Sequence, residues 1–143
     1  MQKGIAMNDV RILLIEDDHD DAELTIHALK KGELANFLIH IDDGAAAMKY
    51  LFDENNTRPG LILLDLRMPR VDGIQILRRL KSDFVKSTIP VVVLISSKSG
   101  QHYVESFNLK ADGYLLKPID CEEFVKTMRG LGLGITRSDA QVK

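Results

Sequence analysis

The sequence predicts a doubly wound α/β fold built on one parallel sheet. Three observations predict it. Short aliphatic runs alternate with amphipathic stretches along the whole chain. The runs are apolar at nearly every position, as expected of strands buried on both faces. Three of them deliver charged side chains at their C-terminal ends, where open α/β sheets form their sites. The chain has 143 residues, 45% of them hydrophobic. That is one domain's worth and suffices for an ordinary core.

The elements follow in order. The first strand, about 10–15, holds Ile12-Leu13-Leu14-Ile15 and delivers Glu16 and Asp17. Asp18, Asp20 and Asp21 are candidate caps for a helix over about 20–31. A strand at about 36–41 and a helix at about 43–53 come next, and an extended loop follows around Asp53-Glu54-Asn55-Asn56. The third strand, Leu61-Ile62-Leu63-Leu64, runs into Asp65 and then a Pro/Gly loop, Leu66-Arg67-Met68-Pro69-Arg70-Val71-Asp72-Gly73. The helix at about 73–84 places Ile76, Leu77, Leu80 and Phe84 on one stripe, with Arg78, Arg79 and Lys81 on a solvated face. A strand at about 90–95 leads to a helix at about 100–109, where Phe107 and Leu109 serve the core or an interface. The last strand, about 113–116, carries Tyr114-Leu115-Leu116 and delivers Lys117 before Pro118. A final helix at about 120–130 is closed by Gly130, Gly132 and Gly134. One domain is expected over 9–131, with a mobile tail over 132–143.

Composition excludes several classes. The formal charge of -2 and the lack of a basic stripe with interleaved aromatics argue against nucleic acid. The apolar runs fall far short of the roughly 20 residues of a membrane helix. Met1 to Asn8 has no apolar core of a secretory leader, and Cys121 is alone, which excludes an intrachain disulfide. A cytoplasmic protein is expected.

The acids at the strand ends suggest chemistry. If the first and third strands are neighbours, Glu16, Asp17 and Asp65 lie within a few ångströms of each other. Carboxylates that close repel and raise one another's pKa unless a cation neutralises them. Hard oxygens suit Mg²⁺, which keeps several waters and takes few protein ligands. Lys117 adds a point charge for phosphoryl oxygens. Together these parts fit phosphoryl transfer onto a carboxylate nucleophile. A single acid after a strand is usually a helix cap, but three acids and a lysine on three strand ends are not explained that way.

At this point the chain resembles the receiver domains of two-component response regulators. The residues that carry the resemblance are Ile-Glu-Asp-Asp at 15–18, Leu-Asp-Leu-Arg-Met-Pro at 64–69, Asp-Gly at 72–73 and Gly-Tyr-Leu-Leu-Lys-Pro at 113–118. The resemblance spans about 9–131. Pro-Gly-Leu-Ile-Leu-Leu-Asp-Leu at 59–66 and the loop around 53–56 are most similar to the stand-alone regulators that partner phytochrome-type kinases. It implies a flavodoxin-like (βα)5 fold with strand order 2-1-3-4-5. It implies that Asp65 accepts a phosphoryl group from a histidine kinase or a phosphotransfer protein. Glu16, Asp17, Asp65 and the backbone carbonyl of Arg67 would hold Mg²⁺, and Lys117 would contact the phosphoryl group. The Lys117–Pro118 bond would be cis, and Tyr114 would be the aromatic switch. The fourth helix, fifth strand and fifth helix would form the output face and a homodimer surface. No conventional enzyme activity is implied.

One position departs from the family pattern. Counting from Asp65, Pro90 or Lys117 puts Ile95 where the family has a Ser or Thr hydroxyl for the phosphoryl oxygen. Ser96 and Ser97 follow, but a neighbouring strand residue points to the opposite face unless a bulge redirects it. The lost charge-assisted hydrogen bond is worth roughly 1.5–3 kcal/mol. A less well held phosphoryl group and weaker coupling to Tyr114 are therefore expected, with Ile95→Thr strengthening the switch.

Three other functions fit parts of the sequence. A degenerate receiver that binds partners without phosphorylation is supported by Ile95 alone. An aspartate-nucleophile phosphatase of the haloacid dehalogenase type wants a second acid two residues past the nucleophile, where Arg67 stands. An FMN carrier shares the architecture, but Glu16-Asp17-Asp18-His19-Asp20-Asp21 would repel its phosphate. His19, His27, His40 and His102 form no close metal-ligand pair in sequence, and Cys121 has no neighbouring base.

Overall fold

In the computed structural model, residues 10–34, 37–68 and 72–133 are described. The expected tail from 134 onward, and Pro69, Arg70 and Val71 of the Pro/Gly loop, lie outside them. Five strands and five helices alternate: β1 (Ile12–Ile15), α1 (His19–Lys31), β2 (Leu38–Ile41), α2 (Gly44–Leu51), β3 (Leu61–Asp65), α3 (Gly73–Ser82), β4 (Val91–Ile95), α4 (Ser99–Glu105), β5 (Gly113–Leu116) and α5 (Cys121–Gly130). All strand pairings are parallel, in the order β2-β1-β3-β4-β5. The architecture and strand order expected from the sequence are the ones found.

The apolar runs are strands because both faces of the sheet are covered. Leu13, Ile15, Ile62, Leu64, Val91, Val93 and Ile95 face one core with α2, α3 and α4. Ile12, Leu14, Leu61, Leu63, Val92, Leu94 and Leu115 face the other with α1 and α5. The period-2 alternation of side chains assigns each residue to its layer. β2 lies at the edge of the sheet, and none of its residues is fully buried. Four helices start on an aspartate whose side chain accepts from the first turn: Asp18 from Asp21, Asp43 from Ala46, Asp72 from Gln75 and Asp120 from Glu123.

The structure corrects the sequence reading at helix ends. α3 stops at Ser82, where Asp83 is extended, and the chain turns away. Phe84 therefore leaves the apolar stripe and is 92% exposed. α4 stops at Glu105, so Phe107 and Leu109 lie beyond it; Phe107 is exposed and Leu109 packs against the core. The basic face of α3 is also not simply solvated. Arg79 lies over the Phe52 ring at 4.5 Å and Arg78 over Phe107 at 5.9 Å. Lys81 donates to Asp112 at 2.8 Å.

Candidate acidic phosphoryl site

The site sits at the C-terminal edge of the sheet, where strand order reverses between β1 and β3. Ile15 pairs with Leu64, so the residues that follow each strand emerge side by side. Glu16 and Asp17 leave β1 there, and Asp65 ends β3. Carboxylate oxygens of these three residues lie within 4.8 Å of one another. Glu16 is fully buried and Asp65 is 4% exposed. Such a cluster can hold a divalent cation, because its donors are all hard oxygens.

Lys117 follows β5 and reaches the same point. Its Nζ lies 3.0 Å from Asp65 Oδ1, 3.1 Å from Glu16 Oε1 and 2.9 Å from Asp21 Oδ2. Its backbone N–H donates to Ile95 at 2.9 Å, which seats the lysine against the end of β4. The Lys117–Pro118 bond is cis. Burial alone would lower the lysine's pKa, but hydrogen bonds to Asp21 and Asp65 and the charges of Asp65 and Glu16 raise it on balance. It is a fixed cation.

The acids carry the opposite strain. Burial pushes Glu16 up to about 8, and neighbouring Asp65 adds to this against the pull of Lys117. Asp17 is also raised, chiefly by burial, with Asp65 contributing. Glu16 Oε1 is ion-paired with Lys117 but has no hydrogen-bond partner among the described residues. A buried carboxylate oxygen left that way is costly. A cation bound among the three acids would relieve it, so the residues fit a hard divalent ion. Two contacts hold the Glu16 turn: His40 Nε2 donates to the Glu16 carbonyl at 2.8 Å, and the Glu16 N–H donates to Ile41 at 3.2 Å.

Beside Asp65 opens a cavity of about 710 Å³, lined by Arg67, Met68, Ser96, Ser97 and Tyr103 among others. Its near wall depends on Gly73. The Gly73 N–H donates to Leu66 at 3.0 Å, and a Cβ on Gly73 would stand 2.8 Å from the carbonyl oxygens of both Asp65 and Leu66. The Asp-Gly pair at 72–73 thus has two jobs: Asp72 caps α3 and Gly73 lets the loop after Asp65 close on it.

Ile95 and Ser96 part company at the end of β4. Ile95 is buried, and its side chain meets Gly100 at the start of α4, where an added Cβ would come 2.7 Å from Ile95 Cγ2. Leu94 is the register partner of Asp65, and Ser96, two residues on, is exposed and lines the cavity with it. Tyr114 is half-buried against the core; the Ala111 N–H donates to its hydroxyl at 3.4 Å, and burial raises its pKa. His19 reaches Asp42 at 3.4 Å and meets the His40 ring edge-on.

The sequence offers one residue of the site, Asp21, only as a candidate cap. Asp18 takes the capping role, and the Asp21 side chain turns instead to Lys117. No local signal reports a pairing across 96 positions.

A family model described as the response regulator receiver domain matches residues 12–129. The chain belongs to the response regulator receiver domain family. The relatives it matches include response regulators, which are signalling proteins. The chain is 37% identical over 124 residues to the response regulator Rcp1 of Synechocystis sp. (strain ATCC 27184 / PCC 6803 / Kazusa), covering 84% of each. It also resembles the solved bacteriophytochrome response regulator AtBRR, at 36% identity and a TM-score of 0.81, over 89% of this receiver and 95% of that chain. A Mn²⁺-bound form of Rcp1 matches with a TM-score of 0.68 at 36% identity, over 85% and 91% of the two chains. The similarity to phytochrome-associated regulators expected from the sequence is found. No described helix is long and apolar enough to cross a membrane.

Proposed function

We propose that this receiver takes a phosphoryl group onto Asp65 from a phosphohistidine and signals through protein contacts. One observation carries the reading: Lys117 Nζ stands 3.0 Å from a nearly buried Asp65, beside two further carboxylates within ligand distance of each other. A lysine and a metal cluster around one acid are what a phosphoryl group with spread negative charge requires.

Glu16, Asp17, Asp65 and the Arg67 carbonyl would hold Mg²⁺; a relative binds Mn²⁺. When bound, the ion neutralises phosphoryl oxygens. An Asp65 oxygen attacks phosphorus and forms an acyl phosphate. The phosphorus–nitrogen bond to the donor imidazole breaks, its electron pair stays on nitrogen, and that nitrogen takes a proton. Lys117 donates to a phosphoryl oxygen throughout. Ser96 supplies the hydroxyl that Ile95 lacks, because Ser96 shares the cavity with Asp65 while Ile95 packs under α4. Tyr114 and the exposed Leu116 of β5, the exposed Tyr103 of α4 and the exposed Phe107 just past α4 pass the change to a partner or a second copy. The donor is a sensor histidine kinase of the phytochrome type, or a phosphotransfer protein, in the cytoplasm; similarity to bacteriophytochrome regulators supports this.

The experiment is incubation with acetyl phosphate, with and without Mg²⁺, followed by intact mass. Uptake that needs Mg²⁺ and is lost in Asp65→Asn supports the reading. Equal uptake in Asp65→Asn overturns it.

A further inference from the structure

Lys117 is held by three carboxylates, and they differ in what the proposed reaction asks of them. Asp65 becomes an acyl phosphate and gives up its charge on the oxygen that forms the new bond. Glu16 would give its oxygens to a bound cation. Asp21 has neither duty. It stands outside the group of carboxylates whose oxygens converge within 4.8 Å, and it lies on α1, one turn past the metal-ligand pair. Yet its Oδ2 accepts a hydrogen bond from Lys117 Nζ at 2.9 Å, the shortest of the lysine's three contacts.

We propose that Asp21 is a positioning residue that keeps the Lys117 ammonium over Asp65 while its other two partners are drawn away. This rests on the reading of Asp65 as phosphoacceptor. A lysine side chain has four flexible torsions, and its ammonium is a point charge with no fixed geometry of its own. Without an anchor it can leave its place over Asp65 before the phosphoryl oxygens arrive to hold it. Asp21 also ties the first turn of α1 to the β5–α5 connection, across 96 residues of sequence. The anchor is partly wet, since Asp21 is 38% exposed and Lys117 16%. Its effect on rate is therefore smaller than that of a buried charge-assisted bond.

The test is a double-mutant cycle. Initial phosphoryl uptake from acetyl phosphate with Mg²⁺ is measured for the wild type, Asp21→Ala, Asp21→Asn, Lys117→Ala, the Asp21→Ala/Lys117→Ala pair and Asp65→Asn. Asp21→Ala is expected to be about tenfold slower, from loss of one partly exposed charged hydrogen bond. Asp21→Asn keeps an acceptor oxygen and falls between, and it serves if the alanine variant folds poorly. In the Lys117→Ala background, Asp21→Ala should cost less than about twofold, because the two act as one unit. Mn²⁺ titrated alone, followed by its electron spin resonance, should bind Asp21→Ala within about threefold of wild type, since only a screened charge is lost. Wild-type uptake by Asp21→Ala, or an equal slowing with and without Lys117, overturns the proposal while leaving Asp65 as acceptor. Uptake that survives Asp65→Asn overturns the acceptor reading, and the Asp21 role falls with it.

Discussion

Substituting Gly73 by alanine sets two opposed effects against each other. Gly73 opens α3 and has no positive φ, so its backbone suits any residue. In an open helix, glycine to alanine gains about 0.5–1 kcal/mol. Here the new Cβ would stand 2.8 Å from the Asp65 and Leu66 oxygens and 2.9 Å from the Leu66 Cα. All three are backbone atoms, so no side-chain rotation relieves the overlap. Overpacking costs about 1–3 kcal/mol, and a backbone obstacle belongs at the upper end. The net is a destabilisation of about 2 kcal/mol, or a fall in Tm of about 8 °C at this chain length. Gly130, the last residue of α5, is the control: nothing lies within 4 Å of an added Cβ. Gly130→Ala should gain up to about 1 kcal/mol and raise Tm by about 2–4 °C. Thermal circular dichroism of both variants decides. A Gly73→Ala protein that melts at or above the wild type would refute the seating of the acceptor loop on α3. If it holds, phosphoryl uptake should fall as well, because the displaced carbonyls belong to the acceptor and its neighbour.

Ser96→Ala should shorten the lifetime of the phosphorylated protein or slow its formation by about tenfold, from one lost hydroxyl bond. Ile95→Thr should leave that chemistry within about threefold but lower stability by about 2–4 kcal/mol, since it trims a buried side chain and buries a hydroxyl beside Gly100. Gain of switching in Ile95→Thr with no effect of Ser96→Ala would return the readout to position 95. The metal-free protein should lose stability as pH rises from about 5 to 8. Glu16 is pushed up to about 8, so its contribution is full while the carboxyl is protonated in both states and is lost as it ionises. Glu16→Gln should flatten that slope. Mn²⁺ affinity should climb over the same window, by at most about tenfold per pH unit, and level above it. A slope unchanged in Glu16→Gln would show that Glu16 is not the group.

Some of this was legible in the sequence for a definite reason. Strands buried on both faces must be apolar throughout, so Leu61–Leu64 and Val91–Ile95 announce themselves. Asp65, Glu16, Asp17 and Lys117 could be picked out because each follows such a run. Helix ends were harder, because one extended residue, Asp83, outweighs the apolar period that had placed Phe84 inside. The strand order came with the family resemblance, since alternation alone fits several orders. Spacing also put Ile95 in the readout position. Which residue faces the cavity depends on where β4 ends against Gly100, a packing fact between elements. Asp21 stayed hidden because its meaning is a contact with Lys117 and not a neighbour in the chain.

The most direct test is the location of the phosphoryl group itself. The protein is phosphorylated by acetyl phosphate and Mg²⁺, the acyl phosphate is trapped by borohydride reduction, and the peptides are read by tandem mass spectrometry. The reduced residue is expected to be Asp65. A trapped phosphoryl site at Asp17, Asp21 or any other acid, with Asp65 unmodified, would contradict it.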